Sequence, residues 1–279
     1  MFNCGEETRI IPRIIKLTKA HFSDIAEMKR LREAGITSDL LDKALTAYML
    51  EILESHNKNA AYLCNKDPVI SQDSEYLSRI FPNSKFILMI RDARATVYSV
   101  WSRYINSSGY KIRDFKSSFL NWNNITQIMY SQCLAIGSER CQLVFYENLV
   151  LHPKIEIEKI LKFLEVPWHN AVLNHENYIG KKISLSKSEK SSDQVIKPVN
   201  LEGLNSWVGN IPVKLLNELD TLAPMMKTLG YDTKSHTGIE YSNADEMVKE
   251  NTFKIKINKE YWNNLAKNFS NLHNLFKTQ

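Results

Sequence analysis

Residues 86–90 form an unbroken apolar run, Phe86-Ile87-Leu88-Met89-Ile90, bounded by Lys85 and Arg91. A run that is apolar on both alternating faces predicts a strand buried in a parallel sheet. Shorter runs at 60–63 and 142–146 predict two further strands. Elsewhere apolar residues recur every three to four positions, the period of a helix. That period predicts helices over 22–32, 39–55, 74–81, 93–106, 114–136, 156–164 and 213–229, the last interrupted near Pro224. Gly35 is expected to end the first of these, and Thr37 or Ser38 to cap the second. The second helix should bury Leu40, Leu41, Ala44, Leu45, Tyr48, Met49 and Ile52 along one stripe. Strands alternating with helices predict an α/β chain, a parallel sheet flanked by helices.

Two polar stretches interrupt this pattern. Residues 177–200 are rich in Ser and Lys and predict a long loop, the kind that often closes over a site. After Gly230 the chain turns polar and Lys- and Asn-rich, with one helix expected at 262–276. A domain over 1–232 followed by a poorly packed polar tail over 233–279 is the expected division. The 279 residues are 43% hydrophobic and 24% charged, with a net charge of +5. So mild an excess, spread along the chain, fits a basic cleft for an anionic cofactor or acidic peptide, or simply solvated surface, better than a nucleic-acid face. No apolar stretch reaches the length of a membrane span, and the amino end does not read as a signal peptide. Four cysteines permit two disulfides or four core thiols.

The residue types offer one physical candidate site. Arg91 follows the 86–90 strand, the edge at which α/β sheets place ligands. Ser99 and Arg103 are four apart and share a helix face. Two guanidiniums and a hydroxyl suit a phosphate group. The plainer alternative is an ion pair of Asp92 with Arg91 or Arg94. By themselves Glu6 reads as a solvated carboxylate, Lys66 as a strand-end lysine and Ser191 as a turn serine. No cluster of His, Cys or carboxylates has metal-ligand spacing, so no metal is expected.

Three segments in order resemble the protein-tyrosine sulfotransferases. They are Cys4-Gly5-Glu6-Glu7-Thr8-Arg9 with Ile11-Pro12-Arg13; Leu63-Cys64-Asn65-Lys66-Asp67-Pro68; and Ser184-Leu185-Ser186-Lys187 with Asp193-Gln194-Val195-Ile196-Lys197-Pro198-Val199-Asn200. Residues 86–103 and Trp207-Val208-Gly209 fit as well, so the likeness runs from Cys4 to about Asp232. The resemblance implies a P-loop-like sulfotransferase fold and transfer of a sulfuryl group from 3′-phosphoadenosine 5′-phosphosulfate (PAPS) to tyrosines in acidic segments of secretory proteins. It implies Glu6 as general base, with Lys66 and Ser191 stabilising the transition state. A phenol pKa near 10 explains the need for a base. It implies that Arg9, Ile10, Ile11, Pro12 and Arg13 contact the acceptor, and that Arg91, Ser99 and Arg103 hold the 3′-phosphate. Tyr146 and the loop of Ser191, Ser192, Asp193, Gln194, Val195, Ile196, Lys197, Pro198, Val199 and Asn200 would complete the nucleotide site. Cys4 with Cys64, and Cys133 with Cys141, would be the family's disulfides. A homodimer in the Golgi lumen is the implied setting.

Departures accompany the likeness. The family's catalytic domain opens with a buried strand and a Pro-Arg-Ser-Gly-Thr-Thr loop that cradles the 5′-phosphosulfate, whereas only three residues precede Cys4 here. The first strand, that loop and the membrane anchor are therefore expected to be missing from this chain. Ser206 stands where the family has a nucleotide-contacting Lys. These departures leave two rival readings: a catalytically inactive peptide- or nucleotide-binding relative, and a truncated chain.

Overall fold

The structure is a computed structural model that describes residues 2–3, 7–55, 58–67, 70–103, 114–181, 183, 185 and 192–271. It divides into two compact units, Met1–Phe86 with Gln132–Arg140, and Ile87–Ser131 with Cys141–Gln279. The architecture is helix-rich α/β.

In the first unit, β1 (Phe2–Asn3) lies parallel to β2 (Tyr62–Leu63), with Asn3 opposite Leu63. Helices α1 (Ile10–Ser23), α3 (Ser38–Ser55) and α4 (Ser74–Ile80) share a core of Ile11, Ile15, Leu45, Met49 and Leu77, while α2 (Ile25–Glu33) packs on α1 and buries no residue of its own. Helix α1 was not among the expected elements, and it contains Pro12. That proline lies in the first turn, where a missing N–H and a fixed φ cost nothing. The expected 22–32 helix is split instead at Asp24, whose carboxylate accepts the N–H groups of Ala26 and Glu27 and starts α2. The stripe expected on α3 is also narrower than predicted. Leu45 and Met49 are buried, but Leu40 and Tyr48 are exposed. Asp42 occupies the buried face instead and accepts hydrogen bonds from Tyr76 and Arg79.

The second unit holds α5 (Ala93–Ser102), β4 (Cys141–Phe145), α7 (Tyr146–Leu151), α8 (Pro153–Leu164) and α9 (Ser192–Val195); β3 (Phe86–Ile90) enters it, and α6 (Phe115–Ile136) begins in it. Strands β3 and β4 form a two-stranded sheet. Leu88 and Ile90 are buried while Met89 is 44% exposed, so β3 is not covered on both faces as its composition predicts. The single helix expected over 213–229 is three short ones: α10 (Val213–Asn217), α11 (Leu219–Leu222) and α12 (Met225–Thr228). Asn123 Oδ1 accepts the Met225 N–H at 2.9 Å beside Pro224, at the start of the last.

Over its described residues, 233–271, the tail expected to be poorly packed is instead largely helical and in part buried. Helices α13 (Glu246–Ile257) and α14 (Lys259–Asn271) occupy it. Ala244 and the fully buried Val248 join Val150, Leu151, Leu201 and Leu204 in one apolar cluster. Polar composition misled because the few apolar residues there are spaced to meet a partner surface, and burial depends on spacing rather than abundance.

Candidate functional site

Arg91 leaves the end of β3 and is held from two sides. Its Nη2 donates to the Gly203 carbonyl at 2.6 Å, and its guanidinium carbon lies 4.5 Å from the centroid of the Tyr146 ring. Tyr146 begins α7 directly after β4, so the paired strands deliver both residues to one place. A Cβ on Gly203 would meet Tyr146 Oη at 3.2 Å and Arg91 Nη2 at 3.5 Å. The absence of a side chain at 203 is therefore what lets backbone, ring and guanidinium approach. Arg91 Nε is buried and has no hydrogen-bond partner among the described residues. A buried donor without an acceptor calls for a reason, and an anion is the simplest one.

The alternative pairing of Asp92 is realised, but with Arg94. Their buried carboxylate and guanidinium form a fork, with Nη2 to Oδ2 at 2.6 Å. Arg94 also donates to the Ser235 carbonyl at 2.7 Å and stacks 4.3 Å from the Trp207 ring centroid. Asp92 thus starts α5 by accepting the Arg94 N–H, and its own N–H donates to Glu147 Oε1 at 2.9 Å. Burial pushes the Glu147 carboxyl above its ordinary pKa. Tyr231 donates to Glu147 Oε2 at 2.8 Å, and burial next to that carboxylate raises its phenol pKa strongly. This network leaves Arg91 outside the Asp92 ion pair.

Farther along, the Arg103 N–H reaches the Ser99 carbonyl at 3.3 Å, so the two residues stand one helical turn apart. The Arg103 guanidinium grips Asp193 of α9 at 2.6 and 3.3 Å. The structure therefore joins two residues that the sequence offered as separate parts of one nucleotide site. The described part of the 192–200 loop is braced from within. Ile196 is buried, Asn200 Nδ2 donates to the Pro198 carbonyl at 2.8 Å, and Asn200 Oδ1 accepts the Glu202 N–H at 3.1 Å.

In the first unit, Asp67 is the organising residue, a role that its place in the sequence does not announce. Its buried carboxylate accepts the Arg9 N–H at 2.6 Å and Asn65 Nδ2 at 2.8 Å, while its own N–H donates to Asn65 Oδ1 at 3.0 Å. Arg9 has a left-handed backbone, φ 57° and ψ 10°, that non-glycine residues adopt at a cost. Lys66 is exposed beside this anchored carboxylate. Of the 9–13 segment, Arg9, Ile10 and Arg13 are exposed, Pro12 is half-buried, and the Ile11 side chain lies wholly in the core.

Cys4, Glu6 and Ser191 lie outside the described residues, as do the side chain of Ser192 and the motif residues Pro68, Ser184, Ser186 and Lys187. Cys64, Cys133 and Cys141 are each disulfide-bonded. No described helix is long and apolar enough to cross a membrane. Signals for Asp67 and Gly203 existed in the sequence only as a lone Asp before Pro and a lone Gly in a polar stretch.

Residues 1–170 match the profile of the sulfotransferase family. The chain is 45% identical over 266 residues to a protein-tyrosine sulfotransferase of Drosophila melanogaster, covering 95% of this chain and 53% of the relative. It is 47% identical over 254 residues to protein-tyrosine sulfotransferase 2 of Gallus gallus and 46% to protein-tyrosine sulfotransferase 1 of Homo sapiens. Both alignments cover 90% of this chain and 68% of the relative. The chain thus spans about half the length of the fly relative and about two thirds of the other two. A solved sulfotransferase domain from the curacin biosynthetic pathway superposes at TM-score 0.49 with 14% identity, covering 77% of this chain and 84% of that one.

Proposed function

This chain belongs to the protein-tyrosine sulfotransferase family, and from that membership we propose that it transfers a sulfuryl group from PAPS to tyrosine hydroxyls in acidic segments of secretory proteins. The observation that carries the reading is Arg91. It is a guanidinium at the end of a strand, held by Tyr146 and Gly203, with a buried Nε that has no acceptor among the described residues. Those features fit the anionic donor, and Arg91, Ser99 and Arg103 are the residues that would hold its 3′-phosphate, with Tyr146 and residues 191–200 beside the nucleotide.

The donor supplies the sulfuryl group; this chain's residues manage protons and charge. Glu6 accepts the phenol proton as the tyrosine oxygen attacks sulfur, and the bond from sulfur to the phosphate oxygen breaks. Lys66 and Ser191 donate hydrogen bonds to the negative charge that develops on the transferring group and the leaving phosphate. The parallel pairing of Asn3 with Leu63 brings together the strands that precede Glu6 and Lys66 in the sequence, which supports a shared role for the two residues. The Arg9 contact to Asp67 supports it from the other side. Arg9 and Arg13, exposed on the same short segment, suit the carboxylates of an acidic acceptor. Disulfides at Cys64, Cys133 and Cys141 support an oxidising secretory compartment. The Golgi lumen and a homodimeric state complete the reading.

The test is incubation of the purified chain with labelled PAPS and an acidic tyrosine peptide, beside Glu6→Ala. Label should reach the peptide, and loss of the base should slow transfer by roughly 10²–10⁴-fold. Transfer that survives Glu6→Ala removes Glu6 as base. Binding of the desulfated nucleotide without transfer makes the chain a binding protein instead.

A further inference from the structure

Two side chains of α13 hold the stretch of backbone that brings Gly203 to Arg91. Thr252 Oγ1 accepts the Leu201 N–H at 3.0 Å and donates to the Val248 carbonyl at 2.7 Å. Asn251 Nδ2 donates to the Val199 carbonyl at 3.1 Å. Apolar packing acts at the same place: Leu201 and Leu204 share a cluster with Val248, and Val199 and Tyr146 pack against it. Helix α14 in turn packs against α9, which carries Asp193. The chain from 199 to 204 is therefore tied to α13 two residues before the carbonyl that Arg91 grips.

We propose that Thr252, assisted by Asn251, is a positioning residue for the nucleotide site. It fixes the Leu201–Gly203 backbone and through it the Arg91 guanidinium that receives a terminal phosphate. The inference rests on the donor-site reading above. Thr252 does not touch the ligand; it acts through Leu201, Gly203 and Arg91. The hydroxyl is required because it accepts and donates at once. Leu201 is buried, so removal of the acceptor leaves a buried N–H unpaired. The backbone then shifts toward another acceptor and carries the Gly203 carbonyl off Arg91. Serine keeps both bonds, whereas valine keeps the shape and loses both.

The experiment titrates adenosine 3′,5′-bisphosphate and adenosine 5′-monophosphate into the full chain by calorimetry, with a thermal melt of each variant. Thr252→Val should weaken the bisphosphate about tenfold and the monophosphate less than twofold. Thr252→Ser should restore the bisphosphate affinity. Asn251→Ala, which leaves the hydroxyl bridge in place, should show a smaller loss with the same selectivity and serves as the readout if Thr252→Val does not fold. Three results overturn the proposal: Thr252→Val binding like the parent, both nucleotides weakening equally, or Thr252→Ser failing to restore. An Arg91→Ala control separates the two levels. If Arg91→Ala loses the bisphosphate while Thr252→Val keeps it, only the positioning role falls. If the parent binds neither nucleotide, or Arg91→Ala binds as the parent does, the donor-site reading falls and takes the positioning role with it.

Discussion

Around Asp67 the first unit fixes its backbone and leaves its long cationic side chains, those of Lys66 and Arg9, exposed; around Arg91 the second unit fixes the cationic side chain itself, between a ring and a carbonyl. Under the proposed function, the contrast follows from what each has to meet. Ordering a free Lys or Arg side chain costs roughly 1.5–2 kcal/mol of rotamer entropy. Against an invariant nucleotide that cost is best met in folding, so a pre-placed guanidinium raises affinity. Acceptor segments vary from protein to protein, and side chains exposed to solvent can follow them. One carboxylate under the backbone is then enough to hold the presenting segment.

The sharpest way to break the comparison is to remove the second unit's internal support. Asp92→Ala strips the partner from Arg94, which is 4% exposed, and leaves a buried guanidinium uncompensated. A loss of about 3–5 kcal/mol is expected, read as a drop in the urea midpoint, with nucleotide binding lost at the same denaturant concentration. Next in size is the first unit's anchor. Asp67→Ala removes the acceptor from the Arg9 N–H and from Asn65 and releases the strained backbone at Arg9, for about 1–3 kcal/mol. Acceptor-peptide affinity should fall while adenosine 3′,5′-bisphosphate binds as before. If the nucleotide weakens as much as the peptide, the division of labour drawn here is wrong.

The smallest effect lies at alkaline pH. Tyr231 donates to Glu147, and its phenol pKa is raised in the folded state, first by burial and then by the carboxylate. A raised pKa means the folded protein keeps the proton that the unfolded chain releases near pH 10. Its contribution is therefore fully present below about pH 10 and fades as the pH climbs through and beyond that value. Melts taken from pH 8 to 11 should show a decline that Tyr231→Phe flattens; an unchanged slope would remove Tyr231 as its source.

Much of the candidate site was legible in the chain. The run at 86–90 does form a strand, Arg91 does follow it, and Ser99 and Arg103 do lie one helical turn apart. These features are local: a strand or helix period shows within a few residues. The order of motifs likewise pointed to the family to which the chain belongs. The misreadings are of another kind. Helix α1 was not expected, and its Pro12 is harmless because it lies in the first turn, which depends on where the helix starts. The segment after residue 232 was legible as polar, yet Val248 is fully buried because Val150, Leu151, Leu201 and Leu204 meet it.

What the amino-acid order determined by itself is the set of elements and the chemistry available on them, since both are written in neighbouring residues. Tertiary structure alone decided which groups hold which: Arg94 rather than Arg91 on Asp92, Asp67 under Arg9 at a separation of 58 residues, and Gly203 beside Arg91 at 112. Such partners are chosen by burial, where an unpaired polar group is costly and the nearest acceptor in space is taken whatever its distance along the chain.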